Sequence, residues 1–253
     1  MNPIAIVTGA SAGIGRATAM LLAKNDFDVI TTGRRNENLE ILEEEIRSKT
    51  SADVLSLAFD IRNQEEVTAA CNKLTGKWKN VDVLVNNAGL AAGLSHIHEG
   101  SVDDWEQMID TNIKGLLYIT RQISPGMVAR GKGHIINIGS IAGKEAYEKG
   151  NVYIATKFAV DGLTRGMRID LVEYGIKVTS INPGAVETEF SKVRFKGDTE
   201  KADAVYKGFT PLYAEDLAEV ILFAVTRPPN VNIDDMTILA TAQACVHKLV
   251  RKG

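Results

Sequence analysis

The chain is poor in features that mark several large protein classes. Its 253 residues contain two cysteines, Cys71 and Cys245, far apart and without CxxC spacing. That excludes a disulfide-framed secreted scaffold and a thiolate metal site, and fits two reduced thiols in a cytoplasmic protein. Charge of one sign is not in excess: 29 Lys and Arg against 32 Asp and Glu give −3. Nucleic-acid binders and membrane-surface binders usually carry a basic surplus, so neither partner is expected. No apolar run approaches the roughly 18 residues of a membrane span. The opening "MNPIAIVTGAS" lacks a basic segment followed by a signal-like core. No repeat, low-complexity tract or linker divides the chain, so residues 1–253 read as one domain.

What is present is an alternation of short apolar runs with longer stretches of helical period. Strands are expected at "IAIVTG" (4–9), "DVITTG" (28–33), "DVLSLAFD" (53–60), "DVLVNNAG" (82–89), "GHIINIGS" (133–140), "IKVTSINPG" (176–184) and "DMTILA" (235–240). Helices are expected over 14–25, 37–49 and about 63–76, with long helical stretches between the later strands. Val- and Ile-rich strands joined by helices indicate an α/β fold. The expected form is a single doubly wound, Rossmann-like parallel sheet of about seven strands with helices on both faces.

Chemistry-bearing motifs fall at the strand ends. "TGASAGIG" puts Gly9, Gly13 and Gly15 where the first strand turns into the first helix. Glycines admit a pyrophosphate close to the backbone, and free N–H groups at a helix start favour its charge. The spacing is G-x3-G-x-G, and the Lys of an ATP-type P-loop is missing. A glycine cluster alone is also a tight turn; its position at the first βα junction favours the phosphate site. "NNAG" (86–89) follows a strand and doubles as a polar turn whose asparagines pin the glycine loop. Tyr153 and Lys157 in "YIATK" are one helical turn apart and share a face. Ser140 ends the "HIINIGS" strand, and Asn112 lies in "DTNIKG".

Taken in order, these five motifs resemble the short-chain dehydrogenase/reductase family over nearly the whole chain. The resemblance implies an oxidoreductase with Asn112, Ser140, Tyr153 and Lys157 as its catalytic group. Tyr153 would be the acid/base, Ser140 would hold the substrate oxygen, and Asn112 would hold a water linking the lysine to solvent. A free tyrosine has a pKa near ~10, and a nearby ammonium with the positive nicotinamide would lower it. The dinucleotide would lie on Gly9, Ser11, Ala12, Gly13, Ile14 and Gly15. Asp60 and Ile61 would flank the adenine, with Asn87, Tyr153 and Lys157 along the middle and the nicotinamide ribose. Pro183, Gly184, Val186 and Thr188 would meet the nicotinamide end. A homotetramer is implied, built through the helices around 105–130 and 152–174 and the last strand.

"VITTGRR" (29–35) places Arg34 and Arg35 where NAD-preferring folds usually carry a carboxylate. Guanidinium groups bind a 2′-phosphate by charge-assisted hydrogen bonds, so the expected cofactor is NADP. The plainer reading is two solvated arginines ahead of a helix.

After "INPG", the text "TEFS.VRFKGD", with "GNVY.ATK", "MIDTNIKGLLY" and "VNIDDM", resembles the NADP-dependent 3-hydroxy acid dehydrogenases acting on serine, allo-threonine and similar acids. Arg194 would then anchor the substrate carboxylate; a lid arginine pairing with nearby acids is the alternative. Two relatives compete: a 3-oxoacyl-carrier-protein reductase, which needs a basic rim, and a broad carbonyl reductase, which needs an apolar lid. A non-catalytic NADP sensor would lack part of the proton relay. His96 and His98 in "SHIHEG" read as loop residues, and no metal is expected.

Overall fold

The computed structural model describes residues 2–252. In chain order its elements begin β1 (Ile4–Thr8), α1 (Gly13–Lys24), β2 (Asp28–Gly33), α2 (Asn36–Lys49), β3 (Val54–Ala58) and α3 (Gln64–Asn72). There follow β4 (Val81–Asn86), α4 (Val102–Ile109), α5 (Leu116–Arg130), β5 (Gly133–Ile138), α6 (Asn151–Leu171) and β6 (Ile176–Pro183). The remainder is β7 (Val186–Glu187), α7 (Phe190–Arg194), α8 (Thr199–Ala204), β8 (Leu212–Tyr213), α9 (Ala214–Val225) and β9 (Asp235–Ile238).

Seven strands form one sheet in the order β3-β2-β1-β4-β5-β6-β9, every pairing parallel. Strand order reverses between β1 and β4, so the loops after these two strands part and leave a crevice at the carboxyl edge.

Successive residues of a strand face opposite sides. Ala5 and Val7 therefore join one core with Leu22, Leu42, Leu217 and Ile221, while Ile4 and Ile6 join a second with Val67, Ile119 and Met127. Both faces are covered, which explains why the strands read as unbroken apolar runs. Half of the residues of α2 are charged, yet it buries Leu39, Leu42 and Ile46 on one stripe. Leu42→Ala would open a cavity there, costing about 2–5 kcal/mol.

The seven-stranded sheet is as expected; two helix expectations are corrected and one small feature is added. The helix expected over 63–76 stops at Asn72, and a 3-10 turn begins at Gly76, whose φ of +55° no helix interior adopts. The long helix around 105–130 is broken by a π-helical turn at Asp110–Gly115. A second, two-stranded sheet joins β7 to β8, and strands of two residues carry no periodic signal.

Candidate active site

The crevice is a cleft of about 610 Å³, running from the glycine loop past the ends of β4, β5 and β6 to the segment 186–206. Gly9 and Gly13 adopt φ of +67° and +50°, conformations that L side chains avoid. α1 starts at Gly13 with no side-chain cap and no acidic residue in its first turn. Its free N–H groups and partial positive charge face the cleft, an arrangement that suits a phosphate. Ser11, Ala12 and Ile14 line the same wall.

Gly15 differs from the expectation: it is absent from the lining and serves packing instead. A Cβ there would lie 2.4 Å from Asn87 Nδ2 and 2.5 Å from the Gly9 carbonyl oxygen. Asn87 itself faces the cleft, donates Nδ2 to the Thr8 carbonyl at 2.8 Å, and takes Thr8 Oγ1 on its backbone N–H at 3.0 Å. The turn after β4 is thus tied to the glycine loop.

At the far end stand Arg34, Arg35, Asp60 and Ile61. Arg35 Nη1 donates to Glu189 Oε2 at 2.8 Å, and its Nη2 donates to Ser11 Oγ at 3.3 Å. The Asp60 carboxylate is engaged by Arg62 at 2.6 Å. Burial pushes its pKa up, but the Arg62 hydrogen bonds outweigh this and hold it below the usual carboxylate range. The residue lines the cleft with its carboxylate held in place by Arg62.

The other end holds Ser140, Tyr153 and Lys157. Tyr153 and Lys157 project from the buried face of α6, at 8% and 7% exposure. Lys157 Nζ donates to the Ile138 carbonyl at 2.9 Å and lies 5.9 Å from the Tyr153 ring centre. Burial pushes the lysine pKa down to about 8. Tyr153 runs against the expected lowering. Burial raises its pKa, Tyr147 adds to the rise, and Ser140 and Arg194 only partly oppose it. Desolvation of a phenolate outweighs distant cations here.

Asn112 is not part of the lining. Its Oδ1 accepts from Leu90 N at 2.9 Å, and its Nδ2 donates to Leu90 O at 2.8 Å and Thr156 Oγ1 at 3.0 Å. The side chain joins the 87–90 turn to α6, so a water relay would fall to its main chain. Pro183, Gly184, Val186 and Thr188 all line the cleft.

Arg194 closes this end. Its Nη2 donates to Tyr147 Oη at 2.9 Å, and its guanidinium carbon is 5.6 Å from the ring centres of both Tyr147 and Tyr153. Among the described residues it pairs with no carboxylate, and its buried Nε has no hydrogen-bond partner. The neighbouring acids are engaged elsewhere: Glu189 with Arg35, Glu148 with His96. Sequence reasoning missed Tyr147 and Gln243. The latter accepts from Ala185 N at 2.9 Å and lines the cleft from the C-terminal segment. Neither carries a spacing signal.

His96, His98 and Glu99 bring ligand atoms within 4.8 Å of one another on an exposed loop. Glu99 is a third donor that the sequence reading did not count. His96 is held by Glu148 at 2.8 Å, so these residues tie two loops together.

The sequence profile of the short chain dehydrogenase family matches residues 3–199. An NADP-dependent 3-hydroxy acid dehydrogenase of Salmonella typhi is 47% identical over 242 residues, covering 95% of this chain and 96% of that protein. The enzyme of the same name in Schizosaccharomyces pombe is 41% identical over 248 residues, covering 98% and 96%. A solved serine dehydrogenase, in its closed form with NADP+, is 43% identical, superposes with a TM-score of 0.93, and covers 99% of this chain and all of its own.

Proposed function

The chain belongs to the short-chain dehydrogenase family, and from that premise we propose that it moves a hydride between NADP(H) and C3 of a short 3-hydroxy acid such as serine or allo-threonine. The observation that carries this reading is a cation, Arg194, without a carboxylate partner beside Tyr153. A substrate whose hydroxyl meets Tyr153 and whose carboxylate meets Arg194 has to be short, given the 5.6 Å between guanidinium and ring. A carbonyl reductase of broad range would have no use for that charge.

The residues fit an NADP molecule. The positive-φ glycines and uncapped α1 suit the pyrophosphate, and Arg34 and Arg35 suit a 2′-phosphate. When bound, the nicotinamide supplies the hydride acceptor in oxidation and the donor in reduction. Ser140 holds the substrate oxygen by its hydroxyl, and Tyr153 exchanges the proton at that oxygen. Because burial keeps the phenol protonated, Tyr153 is ready to donate in the reductive direction. Oxidation needs the phenolate, which the added positive charge of the oxidised nicotinamide favours. Lys157, one helical turn from Tyr153 and with its Nζ 5.9 Å from that ring centre, contributes positive charge and a donor for the nicotinamide ribose. Asn112 keeps the 87–90 turn against α6.

A homotetramer in the cytoplasm completes the proposal. Exposed Leu117 on α5 and Phe158 and Ile169 on α6 support assembly through these helices. β9 is an edge strand with one free side. Two unpaired thiols support a reducing compartment, and no helix among the described residues is long and apolar enough to cross a membrane.

The test is a panel of serine, allo-threonine and 3-hydroxypropanoate against simple ketones and carrier-linked 3-oxoacyl groups, each with NADP(H) and NAD(H). The 3-hydroxy acids with NADP+ should give the highest kcat/KM. Activity confined to ketones or to carrier-linked groups would overturn the assignment.

A further inference from the structure

Arg194 has an aromatic neighbour whose own hydrogen-bonding capacity is half used. Tyr147 Oη accepts from Arg194 Nη2 at 2.9 Å, yet the hydroxyl proton finds no acceptor among the described residues. A phenol can donate as well as accept, so this half-buried hydroxyl keeps a donor for a ligand. The ring has one place to be. A Cβ on Gly150 would sit 2.5 Å from Tyr147 Cε2 and 2.6 Å from Cζ, so the ring lies against the backbone where α6 begins. Gly150 also donates its N–H to the Tyr147 carbonyl at 3.2 Å. Tyr147 and Tyr153 both line the cleft.

The lid holds Arg194 equally firmly. Its carbonyl accepts from Gly93 N at 3.0 Å, and Lys196, two residues on, pairs with Asp104 at 3.0 Å. Two neighbouring groups thus each keep a donor without an acceptor: Arg194 its Nε–H, and Tyr147, which Arg194 Nη2 touches, its O–H. A carboxylate has two oxygens and accepts at both, and a half-buried guanidinium without a carboxylate partner favours an anionic ligand. The carboxylates flanking Tyr147 in sequence do not fill that role. Glu148 accepts from His96, and Glu145 accepts from Val246 N.

We propose that Tyr147 and Arg194 form one carboxylate seat, in which the tyrosine hydroxyl and the guanidinium each donate to the substrate acid, making Tyr147 a specificity-determining residue for acids over their esters. This rests on the reading of the protein as a 3-hydroxy acid oxidoreductase. The guanidinium supplies charge and the phenol supplies direction. A neutral ester retains acceptors but loses the charge that relieves Arg194, so it gains little from either group.

The experiment compares 3-hydroxypropanoate with its methyl ester, using NADP+ and three proteins: unmodified, Tyr147→Phe and Arg194→Lys. Tyr147→Phe keeps the ring against Gly150, and unchanged NADP+ affinity and thermal unfolding establish that it folds. Losing a hydrogen bond to a charged group corresponds to about tenfold or more in affinity. The expected result is a KM for the acid raised about tenfold, with a smaller change in kcat and a shift for the ester several times smaller. Arg194→Lys keeps a charge but not the fork, and should also weaken the acid more than the ester. An equal shift for acid and ester, or no shift for the acid, overturns the seat. If the unmodified protein oxidises neither compound, the reaction assignment has failed instead. The seat is then judged by propanoate binding to the NADPH-loaded protein, read by cofactor fluorescence. A tenfold loss of binding in Tyr147→Phe upholds it, and unchanged binding overturns it.

Discussion

The amino and carboxyl ends of the sheet treat charge differently. At the amino ends, Lys77 lies between Asp28 and Asp53, with Asp28 at 2.6 Å, and Lys132 reaches Asp82 at 3.0 Å. Burial raises the Asp28 pKa, but its bonds to Lys77, Asp53 N and Asn2 outweigh this and hold it low. His134, buried at the start of β5, stays neutral and bonds Thr179 at 2.8 Å, its pKa pushed down to about 3 by burial and then by Lys177. At the carboxyl ends the buried Lys157 and the half-buried Arg194 have a carbonyl and a phenol for company and, among the described residues, no carboxylate. One end is closed on itself and stabilises the fold. The other is electrostatically incomplete, which is what a site awaiting an anionic ligand requires.

The sharpest way to break that contrast is Tyr153→Phe. It leaves the cations in place and removes the proposed proton carrier, so kcat should fall by about 10²- to 10⁴-fold while NADP affinity survives. Near-normal turnover in a folded variant would move the acid/base elsewhere. Next, Arg34→Ala with Arg35→Ala should shift the NADP-to-NAD ratio of kcat/KM. Charged hydrogen bonds contribute about 1.5–3 kcal/mol each, or roughly 10- to 100-fold. A ratio that stays put would make these two arginines mere surface.

The amino end can be tested by pH. His134 has a folded pKa of about 3 against 6.5 unfolded, so between these values the unfolded chain binds the extra proton. Its contribution is complete above pH 6.5 and is lost as pH falls toward 3. Between pH 7 and 5 this amounts to about 2 kcal/mol. His134→Gln should remove that slope from chemical denaturation measured between pH 7 and 5; the contribution of Asp28, lowered from 3.8, is lost only at lower pH. An unaltered slope would show that the histidine is not the sensor. The smallest effect belongs to Glu189, the carboxylate on the one cleft arginine that has such a partner. Both side chains of that pair are about half exposed, and such a pair contributes about 1 kcal/mol or less. Glu189→Gln should tighten NADP up to about fivefold by freeing Arg35 for the phosphate; weaker binding would mean the pair holds Arg35 in position.

What the sequence disclosed followed from local rules. Parallel strands buried on both faces read as Val and Ile runs, and the glycine loop stands out because only glycine tolerates its backbone. Tyr153 and Lys157 are paired by one helical turn, so their shared face needs no tertiary information. Features created by long-range packing stayed hidden. Glu189 meets Arg35 across 154 positions, and Gln243 arrives from the far end of the chain. Burial is likewise a property of the whole fold. That is why the direction of the Tyr153 pKa could not be read from Lys157 alone, and why Tyr147 drew no notice.

Gly9, Gly15 and Asn87 occupy one small space, and this has a consequence for descent. A methyl group on Gly15 would land on the Asn87 amide and the Gly9 carbonyl, so a lineage cannot exchange that glycine while keeping the asparagine bond to β1. Removing the asparagine first would release the glycine loop from the turn after β4. Neither order of mutation passes through a well-formed intermediate. Gly9 and Gly15 in the glycine loop are thus tied to Asn87 in the turn after β4, so a change at one position constrains the other two.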